Sequence, residues 1–259
     1  MHKLFYLKKS FCLACLGLLL ACPLLAAELS STIKAVKTSV VAVGTFQKTR
    51  SPAVSFNGTG FIVGDGLTVI TNAHVVNRPI NPDTPETLGI LFGKGDSAEF
   101  RPAVIVAIDD EHDLARLKIT GTPLPAMTLG DAGQVVEGQS IAFTGFPLGA
   151  ALGFHHATHR GIVSAITPVT KPTQDTRSLD PKVIAQLRRA PYLVFQLDAT
   201  AYPGNSGSPL YDPETGKVLG IINMVFVKGL KETAITNPSG ITYAIPVNFI
   251  HDLLQRNVK

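Results

Sequence analysis

The stretch GTGFIVGDGLTVITNAHVV, Gly58 to Val76, decides the fold class. Two runs rich in Val, Ile, Phe and Thr, GTGFIV and LTVITNAHVV, are separated by Gly and Asp, residues that build tight turns. The pattern recurs in both directions. VVAVGTF precedes it, AVIVAI and LARLKI follow, and beyond the Pro-containing link TGTPLPAMTLGDAG come SIAFTGF, GIVSAI, YLVFQLD, KVLGIINMVFV and ITYAIP. Many short strands at close spacing argue for an antiparallel sandwich or barrel and against βαβ units. The link near 122–133 divides the run into comparable halves. The sequence therefore predicts an all-β chain of two barrels sharing one interface, the first over about 38–121 and the second over about 134–246. No repeat or low-complexity segment stands out.

Three helices accompany the strands. SSTIKAVKTS opens on Ser30 and Ser31 as N-caps and gives one short helix, expected to cap the first barrel. SLDPKVIAQLRRA has Asp180 as N-cap and Pro181 as first helical residue, with Arg188 and Arg189 complementing the dipole of the last turn. PVNFIHDLLQRN, about 246–257, begins at Pro246 and sets Phe249, Ile250, Leu253 and Leu254 on one stripe, to dock on the second barrel. More than twenty polar, Pro-containing residues separate GIVSAI from YLVFQLD, a long connection of the kind tied to function.

The first 27 residues read as an export signal, leaving a mature chain over 28–259. Lys3, Lys8 and Lys9 form a basic start, Phe11 to Leu20 an apolar run, and Ala26 and Ala27 small residues before Glu28. No second segment of membrane-spanning length appears. Cys12, Cys15 and Cys22 all lie in the signal, so the exported chain has no disulfide and stands on packing alone. A competing reading takes LLAC as a lipoprotein signal with Cys22 lipidated, although Leu20 is bulkier than such signals prefer and Pro23 follows directly. Removing the signal takes three Lys and no acid, leaving 20 basic against 19 acidic side chains, +1 instead of the formal +4 of the whole chain. Nucleic-acid binding then has no compositional support.

Acyl transfer by serine needs a base for the hydroxyl proton, a carboxylate to orient that base, and backbone N–H donors for the oxyanion. Each has a candidate. His74 closes the run VITNAHVV, Asp113 opens DLARLKI, and Ser206 sits in YPGNSGSPLYD. The N–H groups of Gly204 and Ser206 are the candidate oxyanion donors. Both must face one oxygen, which needs a sharp backbone path that a Cβ at 204 would obstruct. The order His, Asp, Ser, spread over both halves, matches a site at the interface of two barrels.

These runs resemble the trypsin-like serine proteases, specifically the bacterial group that includes HtrA-type proteases and glutamyl endopeptidases. GTGFIV, VITNAHVV, DLARLKI, GIVSAI, LDATAYPGNSGSPL, GKVLGI and ITYAIPVNFI stand in family order and cover about residues 30 to 255. The resemblance implies a chymotrypsin-like pair of Greek-key barrels and a serine endopeptidase acting on exported, periplasmic or secreted polypeptides. It implies His74, Asp113 and Ser206 as triad, no cofactor, and a homo-oligomer formed through N-terminal contacts as in HtrA relatives. HtrA-type proteins normally continue into a peptide-binding PDZ module, whereas this chain stops at Lys259, so a protease domain without that module is expected. Ser208 stands where HtrA members have Gly. Glutamyl endopeptidases read Glu with a His on the strand beside the pocket and a Thr shortly before the nucleophile. Here that strand reads GIINMVF, and Ala201 and Tyr202 precede PGNSG, so glutamate specificity is not supported. Thr200 takes the pocket-floor position that is Asp in trypsin. With Tyr202, Met224 and Phe226 it forms the expected substrate pocket, apolar in character.

Blander readings stand beside these. Ser206 alone is an ordinary turn serine; the ordered His74 and Asp113 contexts are what raise it. Asp109 and Asp110 compete with Asp113, which fits the position just before LARL, and the adjacent His112 is expected to be solvated. The cluster HHATH (His155, His156, His159) tempts a metal reading. On a strand, however, His156 points away from the other two and no acid completes a site, so surface or edge histidines and no metal are expected.

Overall fold

The computed structural model describes residues 22–77, 86–93, 98–149, 153–169, 191–224 and 241–256. The expected helix near Asp180, Phe226 of the expected pocket and most of the expected export signal lie outside them. The elements in chain order are α1 (Cys22–Lys37), β1 (Val40–Phe46), β2 (Val54–Val63), β3 (Thr68–Asn72), α2 (Ala73–Val76), β4 (Thr87–Phe92), β5 (Glu99–Asp109) and β6 (Leu114–Ile119). They continue as β7 (Ser140–Gly145), β8 (Ala157–Pro168), β9 (Leu193–Asp198), β10 (Pro209–Tyr211), β11 (Val218–Asn223), β12 (Ile241–Pro246) and α3 (Asn248–Gln255). The strands close into two antiparallel barrels, β1-β2-β3-β6-β5-β4 and β7-β8-β9-β12-β11-β10. The two orders are the same permutation, so the topology is duplicated where the sequence shows no repeat.

Strands such as VVAV and FIV read as continuous apolar runs because both faces are covered. Val41 and Val43 of β1, with Ile62 and Val69, fill the first barrel; Val40 and Ala42, one residue away, face the seam between barrels with Phe61, Ala142, Tyr211 and Ile221. Phe143, Val163, Leu197 and Ile222 fill the second barrel. The seam also carries buried polar contacts. Thr144 Oγ1 lies 2.8 Å from both the Tyr211 hydroxyl and Thr158 Oγ1.

The connecting segment is hydrogen-bonded to each barrel in turn. Met127 N donates to Ile62 O of β2, and just beyond it Val218 N of β11 donates to Thr128 O and Gly130 N to Val218 O. The helices then cross over. α1 starts at Cys22, so Ser30 and Ser31 are interior to it and not N-caps. It lies on the second half of the molecule, not on the first barrel as expected. Thr32 Oγ1 donates to Glu214 O, and Gly216 packs against Thr32 and Val36. Conversely α3, which follows the second barrel, lies chiefly against β5 and β6 of the first, burying Ile250 and Leu253. Arg116 of β6 donates from Nη1 to Leu254 O (3.2 Å). Docking on the second barrel alone is thereby corrected, because the helical stripe is wide enough to serve both. Each barrel is held by a helix from the far end of the chain.

The turn between β2 and β3 supplies a pH-dependent contribution to stability. Asp65 pairs with Lys118 Nζ and accepts from Leu67 N and Thr68 Oγ1 (3.0 Å each). The Lys118 hydrogen bond leads these in holding the carboxyl at about 2, below its ordinary value. A depressed folded pKa contributes stability above the unfolded value of about 3.9, lost as pH falls toward 2. The difference in urea midpoint between the native chain and Asp65→Asn should therefore be constant above about pH 5 and shrink between pH 4 and 2. A difference that persists unchanged at pH 2 would contradict this account.

Candidate active site

His74 sits on the one-turn helix α2 that ends β3, and Asp113 in the turn between β5 and β6, where pairing of β3 with β6 sets them side by side. Asp113 holds the histidine through three groups. His74 Nδ1 is 2.6 Å from Asp113 Oδ2, His74 N donates to Oδ1 (2.9 Å), and Ala73 N donates to the Asp113 carbonyl (3.0 Å). Asn72 Nδ2 donates to the same carbonyl (3.1 Å). An ionised carboxylate only accepts, so Nδ1 carries the ring proton and Nε2 is left as the basic lone pair. The pairing demands an unusual backbone. Asp113 has φ +54, the left-handed region, which Asp tolerates better than most residues but which costs energy elsewhere in a chain.

Ser206 is presented by the turn after β9, and the turn's hydrogen bonds form a pattern. Asn205 N donates to Tyr202 O, Gly207 N to Ile222 O and Ser208 N to Asn205 O. The N–H groups of Gly204 and Ser206, between them, have no partner among the described residues. The carbonyls are tied as well. Pro203 O accepts from Leu148 N (2.8 Å), Gly204 O from Thr59 Oγ1 (2.7 Å) and Ser206 O from Thr59 N (2.8 Å). Each N–H lies in the peptide plane of the preceding carbonyl, so Pro203 O, held by Leu148 N, fixes the Gly204 N–H, and Asn205 O, held by Ser208 N, fixes that of Ser206: donors set in advance, as an oxyanion site requires. The glycine argument at 204 holds. Its φ is +101, and a Cβ would lie 2.3 Å from Phe146 O.

Two groups that sequence reading left without a role join the halves. Thr59 of β2, fully buried, holds the Ser206 turn by main chain and side chain, and its Oγ1 also accepts from Phe146 N (3.1 Å). Its signal was its place between two glycines in NGTGF. Asn223, the last residue of β11, donates from Nδ2 to Asp113 Oδ2 (2.8 Å). Since Gly207 N bonds Ile222 O, a single path runs from Ser206 through β11 to Asn223, Asp113 and His74. Gly58 closes the circle from the other side, where a Cβ would meet both Val75 and Ser206 O within 3 Å. Among the described residues no hydrogen bond joins Ser206 Oγ to His74, a contact that often tightens only when substrate is bound.

The expected pocket residues are spread around this turn. Thr242 Oγ1 donates to Ala199 O (2.6 Å) and accepts from Ala201 N (3.1 Å), strapping the segment that contains Thr200 to β12. Tyr202 is half-buried, its ring 5.9 Å from that of His159, and Met224 is half-buried just past β11. The histidines differ from expectation. His156 Nε2 is 2.9 Å from Val40 O beside Phe146, and His159 stacks on Phe143 at 4.8 Å, so both rings are half-buried against aromatic side chains. Burial holds the His159 imidazole below its ordinary range. His155 is exposed, and the three share no common point. His112 is also not solvated; it stacks on Phe249 with ring centres 3.8 Å apart.

A family model described as the trypsin-like peptidase domain matches residues 58–221. A probable periplasmic serine endoprotease, DegP-like, of Halomonas elongata is 32% identical over 197 residues, 76% of this chain and 34% of that protein. The mitochondrial serine protease HTRA2 of Drosophila pseudoobscura pseudoobscura is 31% identical over 205 residues, 79% of this chain and 40% of that one. The chain thus spans well under half the length of these curated relatives. A solved structure of the HtrA-type protease AlgW with a decapeptide has a TM-score of 0.64 at 23% identity, covering 88% of this chain and 66% of that one, a likeness of fold.

At Gly207 the two halves approach closely. Its φ is +89, and a Cβ there would lie 1.9 Å from the Thr59 carbonyl oxygen. Gly207→Ala should cost about 2–4 kcal/mol by chemical denaturation, from backbone strain and clash together. A loss below about 1 kcal/mol would show that the seam yields more readily than this geometry implies.

Proposed function

The chain belongs to the trypsin-like peptidase family, and from that premise we propose that it is a serine endopeptidase cleaving exported polypeptides. His74 Nε2 takes the proton of Ser206 Oγ as the oxygen attacks the scissile carbonyl carbon. The oxyanion is held by the N–H groups of Gly204 and Ser206, and collapse expels the amine, which leaves with the proton returned by the imidazolium. Water then repeats the sequence on the acyl-enzyme, with His74 again as base. Asp113 keeps Nδ1 protonated and stabilises the imidazolium without itself taking the proton. No step calls for a cofactor. The observation that carries this reading is the pair of N–H groups at 204 and 206, without a partner among the described residues, in a turn whose N–H groups at 205, 207 and 208 are all used.

The extracytoplasmic setting is supported by the basic, then apolar, first 27 residues and by relatives named periplasmic. Thr200, Tyr202 and Met224, with Phe226, are proposed to line the pocket for the residue before the scissile bond. With no charged side chain among these four, that pocket takes an uncharged side chain.

A catalytically silent binding module on the same fold is the second reading, favoured by the missing Ser206–His74 hydrogen bond. A fluorophosphonate probe separates them. The native chain should form a covalent adduct that Ser206→Ala abolishes, whereas no adduct under conditions where a control protease reacts would establish the silent module. Within the enzyme reading, Asp113→Asn should lower kcat by about 10⁴ with folding intact. Asn223→Ala removes one hydrogen bond to a charged group and should lower kcat/KM by about 10- to 100-fold. Native rates in both variants would remove Asp113 from the mechanism.

A further inference from the structure

The turn that carries Asp113 contains a second histidine–carboxylate pair. Asp109, at the end of β5 and only 4% exposed, accepts from Glu111 N (3.1 Å) and His112 N (3.2 Å) through Oδ1. Its Oδ2 faces His112 Nδ1 at 2.8 Å and accepts from Arg256 Nη2 at 2.7 Å. Burial acts to raise the Asp109 carboxyl. The hydrogen bonds from the His112 ring and backbone, with the charges of His112 and Arg256, outweigh it and hold the group below its ordinary range. Asp109 is thus an ionised acceptor whose contacts organise the residues leading to Asp113.

The His112 ring is enclosed. It stacks on Phe249 of α3 at 3.8 Å and meets the edge of Tyr192 at 4.6 Å, while Tyr192 and Phe249 lie 5.3 Å apart. Burial, and then the nearby carboxylates of Asp113, Asp109 and Glu111, push the Tyr192 phenol up. The ring is therefore close enough to feel the charge on Asp113. Everything that holds residues 109 to 112 from the α3 side comes from one short stretch, Phe249 to Arg256. Arg256 is 46% exposed, so its removal disturbs little packing, yet it supplies the cation that meets the buried carboxylate.

We propose that Arg256 is a positioning residue for the catalytic acid. Through Asp109 and His112 it holds the left-handed turn that presents Asp113 to His74. The inference rests on the reading of Asp113 as the acid of the triad. The chain of contacts is Arg256 to Asp109, Asp109 to His112, and one peptide bond from His112 to Asp113. A small rotation at φ +54 moves both carboxylate oxygens, and misplacement of a reacting group by about 1 Å can cost about 10²-fold in rate. Loosening this turn should therefore lower kcat while leaving substrate binding alone.

The test compares Arg256→Ala, Arg256→Lys and His112→Phe with the native chain on a chromogenic peptide, and follows the His74 Nδ1 proton by NMR. Arg256→Ala should lower kcat about tenfold with KM within about twofold, and shift or broaden the Nδ1 proton signal. It should also displace the pH of half-maximal kcat/KM, because moving the Asp113 carboxylate relative to His74 changes the charge that the imidazole faces. Arg256→Lys should restore most of the rate. His112→Phe, which keeps the stack on Phe249 but loses the Asp109 contact, should resemble Arg256→Ala. A lower melting temperature with native kcat, KM and proton signal would overturn the proposal, leaving Arg256 a stabilising surface group. The NMR readout needs no turnover. If the native chain fails to label with fluorophosphonate, the enzyme reading fails, while a moved Nδ1 signal in Arg256→Ala still establishes the coupling.

Discussion

The structure depends on what one first-barrel threonine does to a second-barrel turn. Thr59 gives its N–H to Ser206 O, its hydroxyl proton to Gly204 O and a hydroxyl lone pair to Phe146 N, while its own carbonyl accepts from Thr71 Oγ1 (2.7 Å). All of this is buried, and an unmet polar group there would cost about 1–3 kcal/mol. The barrels are therefore not free to slide. Only Gly can occupy 207, because the Thr59 carbonyl fills the volume a Cβ would need. The same contacts that join the halves hold the carbonyls of Gly204 and Ser206, so the turn that carries Ser206 is shaped from both barrels.

The crossing helices reinforce that seam from outside. α1 leans on the second half and α3 mainly on the first, and the apolar seam between barrels includes Val36 from one and Ile250 and Leu253 from the other. A chain without disulfides after its expected signal gains from this arrangement, since each end ties down the half to which it does not belong.

Legibility in the sequence followed the range of the interaction. Strands were legible because Val, Ile and Phe cluster between turn residues, and GNSGSP was legible because its glycines answer a backbone demand. His74, Asp113 and Ser206 could be named from local context. What was not legible is what depends on a partner far along the chain. Asn223 looks like any polar residue ending a strand until pairing sets it 2.8 Å from Asp113, and Thr59 looks like a spacer between glycines. His112 read as solvated because its cover, Phe249 and Tyr192, lies more than 75 residues away. The helix directions were misjudged for the same reason: a stripe of Leu and Ile says that a helix packs, not on what. His159 carried no warning in HHATH that it would face Phe143 inside the second barrel.

The path Ser206–Ile222–Asn223–Asp113–His74 has a consequence in time. A chain made from its N terminus completes β3 and β6 long before residues 204 to 223 exist, so the first barrel can close with its histidine and carboxylate already paired. It then holds that pair without Ser206. The serine arrives late, and its turn cannot take shape until Thr59 is there to receive it. Newly made or half-unfolded copies, crowded among other unfolded chains, thus hold the paired His74 and Asp113 apart from Ser206.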